Sequence, residues 1–281
     1  TGPAAGARLT EHPDVPTISF TGGTLTGAEI ARVTAPLFKK VALEMGGKNP
    51  NIVFADADME DARSATLRAS FSNQGQICLC GSRILVEQEV YETFLDRLVE
   101  RARQMRPGDP LEPATVQGAV VSRAHRDKIL SYIDLARGDG GTVACGGAAA
   151  EDLPERCKDG YFIPPTVITV LGPDCRVNQE EIFGPVVTVQ PFGDEQEAIR
   201  LANGTAYGLS ASVWTRSLPR AHRLAERVQA GTVWINCWLL RDLRVPFGGM
   251  KQSGLGREGG EEALRFHTEP KNVCMRYPDD I

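Results

Sequence analysis

No stretch of this chain is long and apolar enough to cross a membrane. The longest apolar runs are of strand length, such as "VWINCWLL" over Val233–Leu240, against the roughly 18 residues that a span requires. A basic face is missing too. The 31 lysines and arginines are outnumbered by 36 aspartates and glutamates, for a net charge of −5. A nucleic-acid partner is not expected, because neutralising a phosphate backbone takes clustered cations. "RARQMR" (Arg101–Arg106) reads as a helix face instead. There is no disulfide framework: seven cysteines at irregular spacing fit free thiols in a reducing, cytoplasmic setting. No metal site is expected either. Cys78 and Cys80 are one residue too close for a CxxC pair, and no two of the four histidines are neighbours. The chain opens on Thr1, and "TGPAAGARLTEHPD" has neither the basic start nor the apolar core of a signal peptide. It reads as an internal start, and the chain as a fragment of a longer protein. Repeats and low-complexity tracts are likewise absent.

What is present is a globular composition. The 281 residues are 42% hydrophobic, enough for one large or two smaller domains. Strand-like runs alternate with helical periods. "VPTISF", "KVALE" and "NIVFA" read as strands, and "GAEIARVTAPLFKK" between the first two as a helix with Ile30, Val33 and Leu37 on one face. "EVYETFLDRLVERARQM" places Val90, Phe94 and Leu98 at helical spacing. In "RAHRLAERVQAG", Ala221, Leu224, Ala225 and Val228 form one stripe, with Ser217 to cap the start and Gly231 the end. Strands separated by such helices predict an α/β fold with a largely parallel sheet.

Gly254, Gly256 and Gly259 spell GxGxxG. That fingerprint needs a strand immediately before it and a βαβ unit around it. Here "PFGGMKQS" precedes it and little chain follows, so it reads as a glycine-rich turn.

Four segments carry candidate chemistry. In "SNQGQICLCGS" two cysteines stand two residues apart behind a polar run. A free cysteine is usually a small buried hydrophobe, and reactivity needs a thiolate in an accessible, polar setting. Both side chains would share a face in an extended chain but not in a turn, so spacing alone does not choose between them. "FTGGTLTG" follows a strand and opens a helix, as a phosphate-binding turn or an ordinary capped turn would. "LEMGGKNP" puts Glu44 at a strand end, as a general base or a loop charge. "NQEEIFGPVVTV" puts Glu181 before Phe183, to bind ribose hydroxyls or to cap a turn.

Together, "LEMGGK", "GQICLCGSR", "EEIFGPV" and "PFGGMKQSGLGREGG" resemble, in order and spacing, the motifs of the aldehyde dehydrogenase superfamily. The resemblance runs over essentially the whole chain. It implies an NAD-dependent oxidation of an aldehyde to a carboxylic acid, with Cys78 as nucleophile and Glu44 as general base. Gly22, Gly23, Thr24, Gly27, Met45, Glu181 and Phe183 would then bind NAD. The family commonly has Ser at the position of Gly23. Family chains are also much longer. Most of the nucleotide-binding domain is absent from this segment, with the oxyanion-hole asparagine and the adenosine-ribose lysine. The implied layout is residues 1–46 as the remnant of an NAD-binding domain, 47–262 as the catalytic domain, and 263–281 as an oligomerisation arm whose strand is "KNVCMRY". A homo-oligomer, dimer or tetramer, follows. A truncated, non-catalytic isoform that only joins full-length subunits is the alternative.

The substrate is written in "NCWLLRDLRVPFGG". Where many members carry an apolar tunnel residue, this chain has Arg241. A buried arginine is costly without an anion, and its planar fork suits a carboxylate. A salt bridge to Asp242 is the plain alternative. The stretch is most similar to members that oxidise muconic semialdehydes, in particular 2-aminomuconate 6-semialdehyde in tryptophan breakdown. That implies a small-molecule aldehyde bearing a carboxylate, with an apolar aldehyde such as retinal as the other option.

Overall fold

A computed structural model describes residues 1–277. Its centre is a seven-stranded sheet. The spatial order is Thr232–Ile235, Ser210–Trp214, Pro50–Val53, Arg83–Glu87, Val186–Phe192, Thr166–Thr169 and Thr142–Cys145. All neighbours pair parallel except the last two strands, which pair antiparallel. Strands covered on both faces should be apolar throughout. Ile52, Val53, Ile84, Leu85, Val86, Val189 and Val213 meet that demand, all completely buried. Each such side chain contributes about 1.5–3 kcal/mol relative to exposure.

Helices flank this sheet, and their starts are chemically marked. Asp58 accepts from the Glu60 and Asp61 amides at the head of Met59–Phe71. Asp194 caps Glu195–Asn203, and Ser217 caps Leu218–Arg227. The last of these ends at Arg227, four residues short of Gly231, with Val228 already extended. Ala221, Leu224 and Val228 are buried as the stripe predicts, but Ala225 faces solvent.

A second, three-stranded sheet holds Thr17–Thr21, Lys40–Glu44 and Gly254–Leu255. The first two run parallel and are joined by the helix Thr24–Thr34. The helix expected to reach residue 40 stops early because Pro36 has no amide hydrogen to continue it. Ala35–Leu37 tightens to a 3₁₀ turn, and Phe38 turns left-handed. Leu37 is exposed as a result. The glycine run 254–259 does not open a βαβ unit: Gly254–Leu255 pairs antiparallel with the strand ending at Glu44. Residues on either side of position 46 therefore build one sheet.

The last helix, Gly260–His267, spans the expected boundary at 262–263. Lys40 Nζ ties it down by donating to the Thr268 carbonyl at 2.7 Å. "KNVCMRY" has no regular structure here, and Val273, Met275 and Tyr277 are exposed. A strand needs a neighbour for its amides and carbonyls, and among the described residues none lies beside it. The rest of the expected arm, residues 278–281, lies outside the described residues.

Candidate active site

The chain crosses from the small sheet to the large one between Glu44 and Pro50. The site forms at that crossing. Glu44 ends its strand, whereas Asn49, the Cys78 turn, Glu181 and Leu209 each precede a strand of the large sheet. The carboxyl ends of the small sheet thus face the amino ends of the large one.

Ile77 to Cys80 is a tight turn, closed by the Cys80 amide donating to the Ile77 carbonyl at 2.9 Å. The two thiols therefore part company. Cys78 is half-buried, among Ile77, Leu79, Leu209, Cys237, Trp238 and Phe247. Cys80 is buried, and burial pushes its thiol up to about 12. Its sulfur lies 3.9 Å from the Ser72 carbonyl. The turn is held from behind. Asn49, only 3% exposed, donates to the Cys78 carbonyl at 2.7 Å and the Cys80 carbonyl at 2.9 Å. Its own oxygen accepts from the Ser210 amide at 3.0 Å. Trp238 Nε1 donates to the Leu79 carbonyl at 3.0 Å. Ahead of the turn, Gly75 has φ +69°, and a Cβ there would meet the Gly184 carbonyl oxygen at 2.1 Å. Only glycine fits both constraints.

The Cys78 thiol is raised above its ordinary value by burial first, then by the Glu181 and Glu44 carboxylates. Its own backbone amide and Arg241 act the other way. Glu44 is 6% exposed, and its carboxyl is raised from 4.5 to about 7. Burial is the main cause and the Glu258 charge the next; Arg257 and Arg241 oppose them. A neutral thiol thus shares the site with a carboxyl that is half-ionised near neutrality.

Glu181 Oε1 accepts from the Gly47 amide at 3.0 Å, and burial raises its carboxyl. Phe183 has φ +60°, a strained conformation for an aromatic residue. His125 Nε2 lies 2.6 Å from the Phe183 carbonyl, to which it donates, and Lys128 Nζ donates to the Glu181 carbonyl at 3.0 Å. One helix, Arg123–Gly138, therefore steadies this segment. The other predicted nucleotide-binding residues stand in different surroundings. Gly23 has open space around it, and the buried Thr24 hydroxyl has no hydrogen-bond partner at normal distance, with the Tyr207 phenol beside it. Both stand at the start of the helix Thr24–Thr34, whose first amides have no intrahelical acceptor. Gly22 differs from expectation: its amide is committed to the Glu44 carbonyl at 3.0 Å and so cannot serve a phosphate. Gly27 and Met45 pack on each other, a Cβ at Gly27 falling 2.0 Å from the Met45 sulfur.

Arg241 is not in a dry tunnel. It lies on the exposed segment 239–246, its guanidinium stacked 4.2 Å from the Phe247 ring centre. Asp242 pairs with Arg244 instead, and among the described residues Arg241 forms no ion pair. Trp234 Nε1 anchors the segment through the Leu240 carbonyl at 2.9 Å. The residues that motif reading passed over are Asn49, Lys48, Trp238 and Glu258. All but Trp238 stand inside the quoted glycine-rich motifs, where an asparagine or a charge looks like loop chemistry. Lys48 is in fact 2% exposed and lowered to about 7, by burial and then by Arg83. Among the described residues there is no cluster of three or more potential metal ligands and no helix long and apolar enough to cross a membrane.

The sequence profile described as the aldehyde dehydrogenase family matches residues 1–273. The chain is 53% identical over 278 residues to 2-aminomuconic semialdehyde dehydrogenase of Danio rerio, covering 99% of this chain and 57% of that protein. It is 48% identical to the Homo sapiens protein of the same name, with the same coverage. Against 2-hydroxymuconic semialdehyde dehydrogenase of Pseudomonas putida it is 48% identical, covering 98% of this chain and 56% of that one. A point variant of betaine aldehyde dehydrogenase from Staphylococcus aureus, solved with NAD+, superposes with a TM-score of 0.91 at 44% identity, covering 94% of this chain and 53% of that chain. The chain thus spans little more than half the length of the curated relatives it matches. With a family match over nearly every residue and a superposable fold, the chain belongs to the aldehyde dehydrogenase family.

Proposed function

We propose that this chain carries the thiol and base of an enzyme that oxidises an aldehyde to a carboxylic acid with NAD. The observation that carries the reading is that Cys78 and Glu44 both stand at the crossing between the two sheets, near enough for the Glu44 charge to act on the thiol. The thiol is half-buried and raised above its ordinary value, and the carboxyl is buried and raised to about 7. A base tuned near the working pH combines the right protonation state with driving force for proton transfer.

Glu44 takes the Cys78 proton, directly or through one water. The thiolate attacks the aldehyde carbon, and the carbonyl oxygen becomes an oxyanion that the Cys78 amide can stabilise. NAD, which Gly23, Thr24 and Glu181 would hold, would supply the hydride acceptor that turns the resulting thiohemiacetal into a thioester on Cys78. Glu44, having released that first proton to solvent, draws a proton from water; the hydroxide adds to the thioester carbon, and as the acid departs Glu44 returns the proton to the Cys78 sulfur. Arg241 and Arg257 keep the ionised form of Glu44 accessible.

The chain's residues fit the cofactor. Gly23 and Thr24 leave an open helix start for the pyrophosphate, and Glu181, held at Gly47, presents a carboxylate for ribose hydroxyls. For the substrate we favour 2-aminomuconate 6-semialdehyde or a close analogue. The named relatives support this, as does the unpaired Arg241 guanidinium, whose charge reaches both Cys78 and Glu44. Exposed Val273, Met275 and Tyr277 alternate along the tail, which supports strand addition to a second subunit. Seven unpaired cysteines support a reducing, cytoplasmic setting.

The test is to express this chain with the part of the Danio rerio relative that it does not span. Cys78→Ala should abolish aldehyde oxidation, whereas Cys80→Ala should keep most of it. Reversed results would remove Cys78 from the role.

A further inference from the structure

We infer that Asn49 is a positioning residue for the nucleophile turn. It holds the carbonyls of Cys78 and Cys80 and so fixes the stretch of backbone that carries the thiol. The inference rests on the reading of Cys78 as the nucleophile.

Three carbonyls in a row, those of Cys78, Leu79 and Cys80, are each bound by a side chain. Asn49 supplies two of the three donors from one nitrogen, at 2.7 and 2.9 Å. Its oxygen is occupied as well, by the Ser210 amide at 3.0 Å. Asn49 and Ser210 stand at the ends of two neighbouring parallel strands of the large sheet. The side chain therefore clips the turn to two strands at once. A buried amide with this many satisfied bonds has one available orientation.

The consequence falls on the reactive sulfur. With its carbonyl turned back toward Asn49, the Cys78 residue is held in one backbone conformation, which keeps its half-buried thiol at the site rather than packed away as that of Cys80 is. Removing Asn49 frees the turn to rotate and leaves two carbonyls without donors. Without the clip, the turn samples other conformations, and the thiol is no longer held at the site.

The test needs no turnover. In the full chain, the alkylation rate of each cysteine with iodoacetamide is followed across pH by peptide mass spectrometry, with circular dichroism to confirm folding. In the wild type, Cys78 should label faster than Cys80. Asn49→Ala and the near-isosteric Asn49→Asp should cut the labelling advantage of Cys78 over Cys80 by about tenfold, the upper end of what one lost hydrogen bond is worth. Asn49→Ser keeps one donor and one acceptor and should recover part of the rate. Two results would overturn the inference with the nucleophile reading intact. One is a Cys78 rate unchanged relative to that of Cys80 in folded variants; the other is Cys78 and Cys80 both speeding up, as a merely loosened structure would give. If wild-type Cys78 labels no faster than Cys80, the nucleophile reading and this inference fall together.

Discussion

Replacing Glu44 by Gln should make the protein more stable above neutral pH and no more stable in acid. The carboxyl is 6% exposed and raised from 4.5 to about 7. In the unfolded chain it ionises near its ordinary value; in the native state it holds its proton longer. The native state is therefore fully favoured below the unfolded value. It loses ground steadily as pH rises toward the folded value and is level beyond it. A shift from 4.5 to about 7 corresponds to about 3 kcal/mol. Burying the glutamine amide takes back about 1 kcal/mol, so Glu44→Gln should gain about 2 kcal/mol at or above neutrality. Below the unfolded value only the amide cost remains, and the variant should be about 1 kcal/mol less stable. Urea melts of both proteins across this range measure the difference directly. A difference between them that stays constant with pH would refute the reasoning, because it would mean that Glu44 ionises as easily folded as unfolded.

Lys48 should behave as the mirror image. It is buried and lowered to about 7, so its destabilising effect builds as pH falls from its ordinary value and is complete below neutrality, where Lys48→Met should stabilise most in the same melts. Val170 is 73% exposed with φ +62°, a costly conformation for a β-branched residue. Val170→Asn should add about 1 kcal/mol of stability, and a melting temperature that stays the same or falls would contradict this. Arg241→Leu should lower kcat/KM for an aldehyde that bears a distal carboxylate by about 10- to 150-fold, the range for about 1.5–3 kcal/mol of charged hydrogen bonding. A plain aliphatic aldehyde should change little. Equal losses on both would make Arg241 structural.

The architecture was legible because strands buried on both faces need unbroken apolar runs, and "NIVFA" supplies one inside the large sheet. Helix ends were legible where a side chain marks them, as at Ser217, and misread where the backbone decides, as at Pro36. Which cysteine matters was not readable from spacing, since two residues apart means one face in a strand and two in a turn. The turn at Ile77–Cys80 is set by long-range partners, Asn49 and Trp238, 29 and 159 residues away from the carbonyls they hold. No local pattern announces such contacts. Arg241 was identifiable by its odd chemistry next to "VPFGG", but its exposure and its stacking on Phe247 depend on how the segment 239–246 lies over the fold.

The central claim is that Cys78 forms the bond to substrate and Glu44 drives its release. The most direct measurement uses the Glu44→Gln enzyme with Cys80 replaced by Ala, completed as above with the rest of the Danio rerio relative. It is mixed with aldehyde and NAD, quenched, and mapped by peptide mass spectrometry. The account predicts one burst of reduced cofactor equal to the enzyme present, then near silence, with an acyl group on the peptide carrying Cys78. Steady turnover without an acylated Cys78 peptide would contradict it.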